Sequence, residues 1–196
     1  MTHVLARLAG YGMVLLPHWP YAFTRDPDGS VRATRWTSEG ALEAVIQPGF
    51  YDAGGVVDVA VGPEHPHWVV ETSLFQVRWP LGFSVASSHD PEDHTPFYLR
   101  GPGEATIYPQ GPVPMQTVAD PYALVGPEQV VVDRRARDGG SVVELAYEHD
   151  GTPWWQGHWV VPFGTERCLV LTAQSQRSHD AQTRAAAEEV ATSIRT

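Results

Sequence analysis

From residue 141 onward the chain reads as three short runs, "SVVELAYEHD", "TPWWQGHWVVPF" and "ERCLVLTAQSQ", separated by "DGT" and "GT". They read as three consecutive strands, and breaks this short join them as an antiparallel meander. The pattern then changes. In "SHDAQTRAAAEEVATSIR", Thr183, Ala187, Val190 and Ile194 recur at helical spacing, and Ser178 or Asp180 can cap the segment. Upstream, "WVVETSLFQVRWP", "LGFSVASS", "PFYLRG" and "EATIYPQG" are rich in β-branched and aromatic residues and bounded by Pro or Gly, so they predict strands. "TVADPYALVGPEQVVVDRRARDGG" predicts one helical turn near "PYALV" and then a further strand. Residues 11–36 read as a hairpin closed by "RDPDGS", in which Pro27 presets φ and Gly29 is free to take a positive one. "TSEGALEAVIQ" predicts a short helix, capped by Ser38, with Leu42, Val45 and Ile46 on one face. "GGVVDVAVG" predicts a strand.

Together these elements predict an α+β protein, an antiparallel β-sheet with helices packed on it. No repeat, low-complexity tract or linker divides the chain, so 1–196 is expected to form a single domain. Residues 1–67 would be a β-rich N-terminal extension and 68–196 a sheet with its C-terminal helix. A chain of 196 residues buries roughly 70% of its unfolded surface, enough for a core without covalent staples.

Three passages, "FQVRWPLGFSV" (75–85), "HWVVPFGTERCLVLTAQS" (158–175) and "DAQTRAAAEEVATSIR" (180–195), resemble the opening strand, penultimate hairpin and closing helix of the PsbP-like superfamily. That superfamily comprises small α/β/α sandwiches, including photosystem extrinsic proteins and a Ran-binding nucleotide-release factor. The resemblance covers about 120 residues, and 1–67 have no counterpart in it. It implies a PsbP-like α/β/α sandwich with an N-terminal extension, and a function by binding other proteins. It carries over no catalytic residue.

Composition narrows the chemistry. All thirteen basic residues are arginine, and lysine and asparagine are absent. Schiff-base chemistry and a phosphate loop ending in Gly-Lys-Ser/Thr are therefore excluded. A formal net charge of −10 argues against nucleic acid and favours a neutral or basic protein partner. The lone Cys168, within "CLVL", excludes an internal disulfide and reads as a buried, inert thiol. The first twenty residues lack the basic start and cleavage site of a signal peptide, and no run approaches the ~20 apolar residues of a membrane helix. A cytoplasmic location is the expectation, with no cofactor.

Among candidate sites, "SSHDPEDHTPF" (87–97) places His89 and His94 five positions apart with three carboxylates between them. Imidazole and carboxylate suit a divalent ion, but Pro91 forbids a helix through the loop, and a solvated turn is the favoured reading. His65 and His67 share one side of an extended segment and could join His94 in a three-ligand site, a minority reading. His149 and His158 lie on paired strands of a hairpin. The aromatic patch Tyr147, Trp154, Trp155, His158 and Trp159 is the leading candidate for binding. Trp154 and Trp155 must face opposite sides of a strand, so one is expected in the core and the other outward to anchor a partner.

The expected function is a non-enzymatic binding or adaptor protein that recognises another protein through an aromatic sheet surface, an immunity-type inhibitor of a basic toxin being one version. The alternative is a small enzyme or small-molecule-binding protein with a pocket between sheet and helix that uses a histidine group.

Overall fold

The structure is a computed structural model and describes residues 6–53, 55–120 and 122–196. The chain forms two compact units, one running to Arg100 and including Thr192–Thr196, the other Gly101–Ala191.

The first unit contains β1 (Arg7–Gly10), β2 (Met13–Pro17), β3 (Tyr21–Arg25), β4 (Val31–Thr37), β5 (Gly40–Ile46), β6 (Val57–Val61), β7 (Val69–Glu71), β8 (Gln76–Arg78), β9 (Ser84–Ala86) and β10 (Tyr98–Arg100). Five of them run side by side as β6-β2-β1-β7-β8, and the other five as β10-β9-β3-β4-β5, with antiparallel pairing throughout. Tyr11 and Gly12 both take positive φ, 53° and 77°, the geometry of a two-residue hairpin turn between β1 and β2. Gly10 is required by close approach, because a Cβ there would stand 2.8 Å from Cε3 of the fully buried Trp68. Trp68 is held in place by its indole N–H, which donates to the Gly29 carbonyl at 2.9 Å.

The second unit contains β11 (Thr106–Pro114), a 3-10 turn at Met115–Val118, β12 (Val130–Arg137), β13 (Gly140–His149), β14 (Thr152–Phe163), β15 (Arg167–Gln176) and, after a second 3-10 turn, α1 (Asp180–Ser193). The strands lie in the order β12-β13-β14-β15-β11. Strand alternation sorts their side chains onto two faces. Register puts Arg135, Val142, Trp159 and Leu171 in one row, with Glu144, Gly157 and Ala173 in the next. This is the face that takes α1, whose buried stripe is Thr183, Ala186, Ala187, Val190 and Ala191. Full burial of a side chain such as Val190 contributes about 1.5–3 kcal/mol. On the opposite face Arg134, Val143, His158, Thr172 and Tyr108 form one row. Leu145, Gln156 and Gln174 form the next, and Tyr147, Trp154 and Gln176 the one beyond. We call this the open face because α1 does not cover it, although Leu145, Trp154, His158 and Thr172 on it are buried.

The α+β expectation is overturned. The described residues contain fifteen strands and one α-helix, so the fold is antiparallel β-sheet with a single helix and not an α/β/α sandwich layered with helices. The segment "TSEGALEAVIQ" shows why. The Ser38-Glu39 turn is fixed by Thr37, whose hydroxyl accepts the Glu39 N–H at 3.2 Å and donates to the Gly40 carbonyl at 2.9 Å, and Gly40 takes φ 126°. The chain reverses there, and β5 forms a full ladder with β4 from Thr37↔Gly40 to Val31↔Ile46. Leu42, Val45 and Ile46 share no helix face; Ile46 is buried, while Leu42 and Val45 are exposed. Backbone pairing offered by a neighbouring strand outweighs the small helix preference of Ala, Leu and Glu. "WVVETSLFQVRWP" likewise divides into β7 and β8, because Thr72 Oγ1 accepts the Leu74 and Phe75 amides and folds the run into a hairpin. The expected helical turn at "PYALV" is a hydrogen-bonded turn over residues 122–124, with Pro121 outside the described residues. The three-strand meander and closing helix stand as expected, although Ile194 falls just beyond the helix and is half-buried.

Candidate functional site

The "WWQGHW" segment of β14 places its aromatic residues on both faces of the second unit's sheet, and the two faces do different things. Trp155 and Trp159 lie beneath α1, both fully buried, with rings edge-to-face at 6.1 Å and 67°. Each indole N–H donates to a carboxylate: Trp155 Nε1 to Glu144 Oε2 at 3.0 Å and Trp159 Nε1 to Glu188 Oε2 at 2.7 Å. Glu144 is buried and takes three further charged donations, from Arg135 Nη1 at 2.6 Å and from Arg184 Nε and Nη2, both at 2.9 Å. Burial alone would raise its carboxyl, but the hydrogen bonds from Arg135, Trp155 and Arg184 outweigh that and hold it below the ordinary carboxylate range. Arg184 also lies over the Trp155 ring at 4.9 Å, and Arg137 pairs with Glu188 at 3.2 Å. This network clamps the helix to the sheet. A groove between β12 and α1 is lined by Arg135, Arg137, Arg184 and Glu188, so the arginines there already hold acids.

On the open face Tyr147 stacks on Trp154, with centroids 6.1 Å apart and planes at 23°. Burial, with Tyr108 nearby, raises the Tyr147 phenol above its ordinary value. Beside this pair runs a chain of side-chain hydrogen bonds. The Gly126 amide donates to Gln129 Oε1 at 2.7 Å, and Gln129 Nε2 donates to Gln156 Oε1 at 2.7 Å. Gln156 Nε2 then lies 2.9 Å from His158 Nε2, His158 Nδ1 lies 3.0 Å from Thr172 Oγ1, and Thr172 Oγ1 donates to Gln110 Oε1 at 3.5 Å. Because the Gln156 oxygen is occupied as an acceptor, its NH₂ must donate to His158 Nε2. The imidazole is thereby neutral, with its proton on Nδ1. Burial pushes its pKa down to about 4. The chain ties the segment between β11 and β12 to the sheet through Gln129.

The predicted binding residues thus separate. Tyr147, Trp154 and His158 share the open face, where Trp154 and His158 are themselves buried. Trp155 and Trp159 are core residues beneath α1, and so the patch is not one outward surface. The partners that organise each face, Glu144 and Glu188 on one and Gln110, Gln129, Gln156 and Thr172 on the other, were not singled out in the sequence. Only the spacing of Glu144 and Gln156 within alternating strands hinted at which face each would share.

The histidine candidates do not come together. Among the described residues no group of three His, Cys, Asp or Glu side chains is arranged to hold a metal ion. His65 and His67 lie with ring centroids 6.4 Å apart, and His89 packs edge-on against Trp36 at 4.9 Å. Two of the three carboxylates of the 87–97 loop bond its own backbone: Asp90 Oδ1 accepts the Glu92 amide and Asp93 Oδ1 the Thr95 amide, both at 2.9 Å. Desolvation acts to raise the Asp93 carboxyl, yet hydrogen bonds from Tyr98, Thr95 and Ser88 together lower it to about 2. His149 pairs in register with Thr152 and His158 with Val143, so the two imidazoles do not meet. Cys168 is fully buried and burial raises its thiol, which leaves it unreactive.

Fold and site together define a β-sheet protein whose second unit has one helix-clamped face and one aromatic and amide-lined face that α1 does not cover. No family model matches the chain. No curated protein matches it either. The resemblance to the PsbP-like superfamily therefore rests on the three sequence passages alone. The solved structure of LpqN, involved in cell envelope biogenesis of Mycobacterium tuberculosis, aligns over 98% of this chain and 91% of its own at 14% identity, with a TM-score of 0.32. A likeness that low carries no inference. Among the described residues no helix is long and apolar enough to cross a membrane.

Proposed function

We propose that the protein is a non-enzymatic binding protein that takes a neutral polypeptide on the open face of the second unit. One observation carries this reading. In a chain of net charge −10, the rows from Tyr147–Trp154 to Val160–Val170 carry no carboxylate and no arginine on β11, β13, β14 or β15. They present instead Tyr108, Tyr147, Gln110, Gln156 and Gln174, all at least partly accessible. Aromatic rings supply contact area at small entropic cost, and side-chain amides offer both donors and acceptors to a peptide backbone. The chain through His158 holds Gln110 and Gln156 in fixed orientations, so little is lost in ordering them on binding. The charged side chains of the helix-clamped face are consumed internally and are poorly suited to contact.

The test is capture from native extract on immobilised wild type, Tyr147→Ala and Gln174→Arg, each first shown to melt at the wild-type temperature. A polypeptide retained by wild type and lost by both variants supports the proposal. The same retained set on all three would refute it.

A further inference from the structure

We propose that the second unit also holds a binding site for a small zwitterion with an apolar body, the chemistry of an apolar amino acid or dipeptide; this goes beyond the polypeptide-binding reading and does not depend on it. The site is a pocket of about 380 Å³ between the segment following β11 and the β12–β13 ribbon. That volume falls within the roughly 300–1,000 Å³ typical of small-ligand sites. Its apolar walls come from Val118 and Leu124 on one side and Val143 on the other, and Asp120, Arg134 and Ser141 supply the polar groups.

Arg134 is the group that points to a ligand. Its neighbours Arg135, Arg137 and Arg184 are each paired with a carboxylate. Among the described residues none pairs with Arg134. Its guanidinium is instead oriented by stacking 5.1 Å above the Tyr122 ring, a contact that leaves its N–H donors free for a bidentate acceptor. Asp120 stands on the same lining. Its Oδ1 accepts the Tyr122 amide at 2.8 Å, and its backbone carbonyl accepts the Ala123 amide at 3.0 Å. This turn places Tyr122 for the stack and leaves Oδ2 for a second partner. One oriented cation and one oriented anion on apolar walls select against a bare anion, which Asp120 repels, and against a bare cation, which Arg134 repels. A ligand carrying a carboxylate, an ammonium and an apolar side chain satisfies all three parts of the lining.

Isothermal titration of the full chain with leucine and with leucyl-leucine tests this. Saturable one-to-one binding of at least one probe is expected. It should weaken by at least about tenfold in R134Q and in D120N, and equally when either end of the probe is capped by acetylation or amidation. Ala119→Trp, an exposed lining position, should fill the pocket and abolish binding with the thermal midpoint unchanged. If R134Q or D120N fails to fold, the capped probes and A119W decide the matter. The proposal is overturned by no saturable heat from either probe, by undiminished binding to A119W, or by capped probes that bind as tightly as the free zwitterion.

Discussion

Gly157 sits on the helix-clamped face between the two indoles of "WQGHW", and replacing it with alanine tests the clamp directly. A Cβ at that position would lie 2.7 Å from Trp159 Cζ3, 2.9 Å from Trp159 Cη2 and 2.9 Å from Trp155 Cζ2. Ordinary carbon–carbon contact is about 3.5–4.0 Å, so a ring must move by most of an ångström. Neither ring is free to do so: both are 0% exposed and each donates its N–H to a carboxylate. Overpacking of this kind costs about 1–3 kcal/mol. Loosening one hydrogen bond to a charged group adds about 1.5–3 kcal/mol. A destabilisation of about 3 kcal/mol is expected, equivalent for a chain of this size to a fall of roughly 6–12 °C in Tm. Urea and thermal unfolding measure it. Gly151→Ala is the control, because a Cβ there meets nothing within 4 Å and the cost is only that of its left-handed backbone, φ 72°, about 1–2 kcal/mol. A Gly157→Ala protein within about 0.5 kcal/mol of wild type would show that the indoles are not held as described, and the account of the clamp would fail.

Acidification should act through His158. Its folded pKa, about 4, lies below the ordinary 6.5, so the unfolded state binds the extra proton in between, and stability falls as pH drops through that window. The loss is about 2 kcal/mol between pH 7 and 5 and about 3 kcal/mol by pH 4, read from urea unfolding at each pH. His158→Gln should flatten this part of the profile, and an unchanged slope would contradict the neutral-imidazole assignment. Glu144→Gln keeps the shape of the clamp but removes the charge shared by Arg135 and Arg184. Since both arginines are more than a third exposed and water can take over their solvation, we expect a loss of about 2 kcal/mol by chemical denaturation. A stability within experimental error of wild type would place the weight of the clamp elsewhere.

Long runs broken by short turn signals located β13, β14 and β15, and the change to helical spacing located α1, whereas the burial of β13, β14 and β15 runs through consecutive positions because both faces are largely covered. The "TSEGALEAVIQ" segment failed for the opposite reason. Three apolar residues at offsets of three and four are too few to distinguish a helix face from a strand with one buried end. The same limit applies to the site. Strand geometry requires Trp154 and Trp155 to face opposite ways, but both are buried, because α1 covers one side while Tyr147 stacks on the other.

What the residue order settles by itself is local: which runs extend, where "DGT" and "GT" let the chain turn between β13, β14 and β15, and which side chains of β14 share a face. Backbone sterics and a two-residue period act over a few positions, and those positions are adjacent in the chain. What only the tertiary structure decides is which distant groups meet. Glu144 finds Arg184 forty residues away, Gln129 finds Gln156 on β14, and among the described residues Arg134, unlike Arg135 and Arg137, pairs with no acid. Those meetings depend on strand register and on the path of the segment between β11 and β12, which are selected by burial and hydrogen bonding summed over the whole unit and leave no mark at any one position.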